Sequence, residues 1–417
     1  MDFDDTPAEA AFRAEARTWL DANAPRLGDP DDFSRGYFLT EAADPEDRPP
    51  LHAEHIKRCQ AWQARLLEGG WACITWPAAF GGRGGTAMEA TIFAEEQSNY
   101  GVSADVFAVA IGMVGPTIIA HGNDEQKARY LDPMLRGQEL WCQLFSEPGA
   151  GSDLAGLNTR AVRDGDEFVI NGQKVWTSSA GDAQHGILLA RTDPSQPKHR
   201  GITYFLLDMS SPGIDIRPLR QMTGASHFAE VFLTDVRVPA TNVLGTVDGG
   251  WAVTMTTLLN ERVFITGIRR FGPPELIELA RTHGRLDDPV IRQELARAHQ
   301  RDAVLTFLGY RVRTAIGRGE APGPEASCMK LATARHLKLS TDLALAIQGP
   351  AGQLVDDSWH LHFLGAPAIR IAGGSDEIQR NVIAERALGL PGDVRVDKGI
   401  PFTSIPTGTA DRSPAER

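Results

Sequence analysis

The stretch Glu139-Leu-Trp-Cys-Gln-Leu-Phe-Ser-Glu-Pro-Gly-Ala-Gly-Ser-Asp153 is where the apolar period changes from helical to extended, and it divides the chain. Before it the pattern is helical. Thr6-Pro-Ala-Glu9 forms a capping box with proline at N1, and Phe12, Ala16, Trp19 and Leu20 share one face, which predicts a helix from about 7 to 23. Residues 29–50, rich in Asp, Pro and Arg, lack apolar period and read as a surface insertion. The helical pattern resumes over His52 to Glu68 and pauses at Trp76-Pro-Ala-Ala-Phe-Gly-Gly-Arg-Gly-Gly85. It returns over Thr86 to Tyr100 and Phe107 to His121, and Asn123 then caps one more helix closed by Gly137.

After Glu139, short β-branched or aromatic runs are separated by turn residues: Glu167 to Ile170, Gly186 to Ala190, Ile202 to Leu207, Ile214 to Ile216 and Glu230 to Leu233. Asn171-Gly172 predicts a two-residue hairpin, because both turn positions must accept positive φ. From Gly250 the pattern is helical again: Trp251 to Arg269, Pro274 to His283, Asp288 to Gly317, Glu325 to Ile347 and Asp376 to Leu388. The expected fold is α+β, mostly α. It has an N-terminal helical domain (1–138), a middle β-barrel or sandwich (139–247), a C-terminal helical bundle (248–392) and a mobile tail (393–417).

The 417 residues are 42% hydrophobic and 23% charged, an ordinary globular composition. The longest apolar stretch, Val106 to Ala120, is broken by Gly112, Gly115 and Pro116 and is shorter than the roughly 20 residues a bilayer requires. A net charge of −12 disfavours nucleic acid and anionic membranes as partners. The acidic start Met1-Asp-Phe-Asp-Asp5 lacks secretory features, so a cytoplasmic protein is expected. Cys59, Cys73, Cys142 and Cys328 have no zinc or disulfide spacing and read as reduced, mostly buried thiols. His52 with His55, and His360 with His362, have spacings that metals use, but the sequence shows no third ligand, and no metal is expected. The Gly81 to Gly85 run follows no strand and reads as a turn.

Two runs carry chemistry. In Phe145 to Asp153, Gly149 and Gly151 permit an anion-cradling nest and Ser152 adds a donor, which suits a diphosphate; a plain tight turn reads equally well. In Lys174-Val-Trp-Thr-Ser-Ser-Ala-Gly181, Trp176 suits stacking on a flat cofactor with Thr177 and Ser178 at its rim, although an edge strand would look similar.

Together with Asp235-Val-Arg-Val-Pro239 and Asn242, Asn260-Glu-Arg262, and Gly373-Gly-Ser-Asp-Glu-Ile-Gln-Arg-Asn-Val-Ile-Ala-Glu385, these runs make the chain resemble an acyl-CoA dehydrogenase over roughly residues 5 to 392. The resemblance implies a C-terminal four-helix bundle and FAD held between β-domain and bundle. Phe145 and Ser146 would meet the flavin, Gly151 and Ser152 would border its diphosphate, and Trp176 and Ser178 would lie near N5. Ser375 and Glu377 would reach the flavin of a dimer mate. The implied reaction is α,β-dehydrogenation of an acyl-CoA to the trans-2-enoyl thioester: a base removes the C2 proton and hydride passes from C3 to flavin N5. An electron-transfer flavoprotein-like acceptor and a homodimer, homotetramer or heterotetramer are implied with it.

In many family members the base immediately precedes the late Gly-Ser or Gly-Thr, but here that position is Gly373. The resemblance to isovaleryl- and long-chain-type enzymes instead implies the Glu261-Arg262 pair, with Glu261 as base; a structural ion pair is the alternative. Two family segments depart from pattern. The arginine-bearing one reads Ala280-Arg-Thr-His-Gly284, where Arg281 offers compensation, and the glycine-rich one reads Ala346-Ile-Gln-Gly-Pro-Ala-Gly352, which includes Gly349. These departures keep two alternatives open, a catalytically silent subunit of a heteromeric dehydrogenase and an acyl-CoA oxidase-like enzyme.

Overall fold

The computed structural model describes residues 5–34, 50–266, 272–318, 323–354, 358–392, 394–395 and 397–405. Helices α1 (Pro7–Asn23), α2 (Pro50–Glu68), α3 (Ala87–Gln97), α4 (Gly115–His121) and α5 (Asp124–Leu135) form the N-terminal domain. The expected boxes cap α1 at Thr6 and Glu9 and α5 at Asn123 and Gln126, each satisfying backbone N–H groups that the first turn leaves open. Phe12, Ala16 and Leu20 are buried as expected. The run before α4 is less regular than its periodicity predicts, with a 3-10 turn at Asp105–Phe107 and a π-turn at Ala110–Val114.

The middle domain contains β1 (Trp141–Leu144), β2 (Arg160–Asp164), β3 (Glu167–Ser178), β4 (His185–Arg191), β5 (Ile202–Asp208), β6 (Ile214–Leu219) and β7 (Phe228–Pro239). They form one sheet in the order β1-β4-β2-β3-β7-β6, with β5 on β4. The hairpin expected at Asn171-Gly172 is absent, and β3 runs straight through it. The β2–β3 turn falls instead at Gly165, which has φ +63°. Asn171 and Gly172 occupy a register break against β7. There the Asn171 carboxamide oxygen accepts from Asp235 N at 2.9 Å and its nitrogen donates to the Asp235 carboxylate at 3.0 Å. Gly172 is needed for close approach rather than for a turn, since a Cβ would lie 2.4 Å from Thr159 Oγ1.

The C-terminal domain comprises α6 (Gly250–Thr266), α7 (Pro273–Thr282), α8 (Pro289–Gly317), α9 (Glu325–Gln348), α10 (Ser358–Ile369) and α11 (Asp376–Val382), which continues as a π-turn over Ile383–Ala387. The sequence reading missed α10, because Gly365 and Pro367 interrupt it; packing along α9 overrides them. The expected continuation of α6 to Arg269 runs past the described residues after Thr266.

The segment after Pro391, expected to be mobile, is fastened to the β-domain over its described part. Phe402 N donates to Gln196 O at 2.8 Å, Lys198 pairs with Asp397, and the Arg191 guanidinium lies 3.6 Å from the centroid of the Phe402 ring. Composition alone suggested a loose tail, but an ion pair, a backbone hydrogen bond and an aromatic ring over a buried arginine dock it. Residues 406–417 lie outside the described residues.

Candidate active site

The loop after β1 is built on its backbone. The Phe145 ring is buried edge-on against Tyr204, with centroids 5.9 Å apart, and the Ser146 carbonyl accepts from Val175 N at 2.9 Å. Glu147 and Ala150 exchange backbone hydrogen bonds of 3.0 Å, which closes a tight turn and leaves Gly149, Gly151 and Ser152 exposed. Of the two readings the sequence left open, the tight turn is the one formed, and neither glycine adopts the left-handed φ of a nest. A Cβ on either would meet nothing within 4 Å. Glycine is therefore not demanded by this chain's own packing there, and the backbone is open to an approaching group.

Lys174 on β3 supports this loop from below. Its side chain is 0% exposed, and Nζ donates to Phe145 O at 3.0 Å and to Glu147 Oε1 at 2.8 Å. Burial pushes the Glu147 carboxyl up, but Lys174, Thr159 and Asn158 outweigh it and hold the carboxyl below its ordinary range. Two residues on, Trp176 has φ +60° and its side chain stands in solvent, 60% exposed, in a β-bulge against β7. A bulky residue in that backbone region is costly and recurs at ligand clamps. Thr177 is buried with its Oγ1 unpartnered, and Ser178 is half-buried. Beside them, His227 O accepts from Ser179 N at 3.1 Å, and burial, then nearby His52, pushes the His227 imidazole down to about 4.

Helix α6 reaches the same junction. Thr257 is fully buried, and its hydroxyl lies 3.1 Å from both Tyr204 Oη on β5 and Thr117 Oγ1 on α4, so three hydroxyls lock the three domains together. Glu261 follows one helical turn beyond Thr257 and is half-buried. Arg262 is in the same helix, but its side chain is outside the described residues.

The remaining expected residues sit on the C-terminal helices. Gly373 has φ +63° and Gly374 φ +90°. The Ser375 hydroxyl accepts from Ile378 N at 3.3 Å and so caps α11. Glu377 is exposed and pairs with Arg380 at 3.2 Å. Gly349, at φ +62°, ends α9, and Arg281 is exposed and pairs with Glu278 on its own helix. Thus Phe145, Ser146, Gly151, Ser152, Trp176 and Ser178 gather at one end of the β-domain, whereas Arg281, Gly349, Ser375 and Glu377 belong to the other domain.

Sequence reasoning missed Lys174, Glu147, Tyr204 and Thr257 as parts of the site. A lysine inside an otherwise strand-like run was the one available signal. It also missed that His55 has neighbours of ligating type: Cys59 Sγ and Asp105 Oδ1 lie 3.4 and 2.9 Å from His55 Nε2.

Three family models cover almost all of this chain: acyl-CoA dehydrogenase N-terminal domain over residues 6–138, middle domain over 142–236 and C-terminal domain over 248–388. The chain belongs to the acyl-CoA dehydrogenase family. Among its relatives, acyl-CoA dehydrogenase IpdE1 of Mycobacterium tuberculosis is 38% identical over 397 residues, spanning 92% of this chain and 98% of that one. Among solved structures, one titled Tcur3481-Tcur3483 steroid ACAD superposes with a TM-score of 0.78 at 29% identity, covering 94% of this chain and 100% of that one. The ChsE4-ChsE5 complex from Mycobacterium tuberculosis superposes with a TM-score of 0.73 at 29% identity, over 94% and 100% of the two chains. The acyl-CoA dehydrogenase family membership makes this chain an oxidoreductase of flavoprotein type, acting on acyl-CoA. No helix among the described residues is long and apolar enough to cross a membrane.

Proposed function

We propose that this chain is an FAD-dependent dehydrogenase that converts an acyl-CoA thioester to its trans-2-enoyl thioester, with Glu261 as base. The observation that carries the base assignment is the contrast between two positions. Gly373 has φ +63°, a backbone that a glutamate would hold only under strain, whereas Glu261 is half-buried on a helix tied through Thr257 and Tyr204 to the strand beside Phe145.

The residues present fit FAD. An exposed, strained Trp176 offers a flat face, and the open backbone at Gly149 and Gly151 with exposed Ser152 suits a diphosphate. Phe145, Ser146, Gly151, Ser152, Trp176 and Ser178 would hold it; Arg281, Gly349, Ser375 and Glu377 would serve the flavin of a neighbouring subunit. Bound FAD supplies the acceptor for the hydride that leaves C3. The Glu261 carboxylate takes the C2 proton as the C2–C3 double bond forms, and Arg262, the next residue in sequence, belongs with it to the proposed catalytic pair.

The likeness to the steroid ACAD and to the ChsE4-ChsE5 complex supports polycyclic acyl-CoA substrates and a heteromeric assembly. The proposed acceptor for the flavin's electrons is an electron-transfer flavoprotein-like protein. Exposed Leu259, Val304, Phe307 and Ile371 on and beside the C-terminal helices supply apolar surface for such a subunit contact. The test is a visible spectrum of the purified protein, then anaerobic titration with acyl-CoAs from short-chain to steroid-sized. The proposal expects a flavin spectrum that one substrate class bleaches. A colourless protein active only with a second chain would favour a silent subunit, and peroxide release under oxygen would favour an oxidase.

A further inference from the structure

The buried pair Lys174 and Glu147 joins the β-domain segments that carry the residues proposed to face the flavin. Lys174 Nζ reaches the Phe145 carbonyl at 3.0 Å and Glu147 Oε1 at 2.8 Å. Glu147 in turn accepts from Thr159 N at 2.9 Å and Asn158 N at 2.6 Å. One ion pair therefore fastens the end of β1, the 146–153 loop, the start of β2 and the middle of β3. Lys174, paired with Val231, is also the last residue of β3 in register before the bulge that turns Trp176 outward.

Stability alone gives little reason to keep such a pair. Desolvating two charges costs several kcal/mol, and apolar replacements of similar size are often neutral or stabilising. What an apolar pair cannot do is aim backbone: the ammonium fixes a carbonyl and the carboxylate fixes two N–H groups, each in a set direction. The strained φ of Trp176 lies two residues from this anchor, where a firmly held neighbour is needed to keep it.

We infer that Lys174 and Glu147 are positioning residues of the cofactor site, which set the loop at residues 145–153 and the Trp176 bulge in flavin-binding geometry. The inference rests on the flavin reading above. Its test compares the full-length wild type with Glu147→Gln and with the apolar double variant Lys174→Met/Glu147→Leu, each loaded with FAD. Thermal denaturation, flavin retention on dilution, flavin reduction potential, and kcat and KM for an acyl-CoA substrate are measured. The expected double variant folds with a lowered melting temperature, because Phe145 O and the Thr159 and Asn158 N–H groups lose their partners. Its larger losses are in the site: it releases FAD readily, shows a shifted potential and loses about a hundredfold in kcat, the scale of an ångström-level misplacement. Glu147→Gln, which keeps the shape and one acceptor, should fall between. Folded variants with wild-type retention, potential and kcat would overturn the inference, and so would failure of both variants to fold, which would make the pair a folding determinant. A wild type that binds no flavin would instead overturn the underlying reading.

Discussion

The Tyr204 and Thr257 hydroxyls meet at 3.1 Å in a site closed to water, and through them the helix that bears Glu261 is registered against the strand that packs on Phe145. Removing one hydroxyl should cost differently depending on which partner is left. Tyr204→Phe leaves Thr257 still bonded to Thr117 and should lose about 1 kcal/mol. Thr257→Val leaves the buried Tyr204 hydroxyl without this partner, while Thr117 still donates to Met113 O at 2.7 Å, and should lose roughly 2 kcal/mol. Denaturation midpoints of the two variants, compared with wild type, check the order.

Trp176 should behave as a residue kept for a ligand. With φ +60° and a 60% exposed ring, it contributes strain and little burial. Trp176→Gly should therefore be more stable than Trp176→Ala by about 1 kcal/mol, because glycine accepts the backbone and alanine does not. Both should bind FAD more weakly than wild type. Melting of flavin-free protein and equilibrium flavin binding separate the two effects.

Acid should weaken the protein through His227. Burial pushes its imidazole down to about 4, whereas the unfolded chain titrates near 6.5. Between those values the unfolded state binds the proton that the folded state refuses. Stability is complete above about 6.5, falls as pH drops towards 4 and levels off below that, by about 3 kcal/mol in all. His227→Gln should flatten that slope in denaturant titrations across the window.

How much of this was legible in the sequence follows from how local each feature is. Thr6 with Glu9 and Asn123 with Gln126 cap their helices within four residues, and both ends are where the sequence puts them. Asn171-Gly172 misled because a dipeptide that suits a tight turn also suits a bulge; the deciding partner, Asp235, is on another strand. Helix α10 was hidden because its stability comes from α9 rather than from its own propensity. At the site, motifs located the residues that face the proposed flavin, but not what holds them. Lys174 and Glu147 are 27 positions apart, and only the sheet brings them together.

The C-terminal segment should loosen when one ring is removed. Phe402→Ala removes the aromatic face 3.6 Å from Arg191, whose surroundings are otherwise backbone carbonyls. The loss should be about 1–2 kcal/mol and should appear as faster proteolytic removal of residues beyond 392. Mass spectrometry of a limited digest reads it directly.

The most direct test of the whole account is Glu261→Gln in FAD-loaded protein, mixed anaerobically with a substrate that bleaches the wild type. The account predicts unchanged flavin content and substrate binding, with flavin reduction slowed by at least about a hundredfold. Reduction at the wild-type rate would show that another group takes the C2 proton.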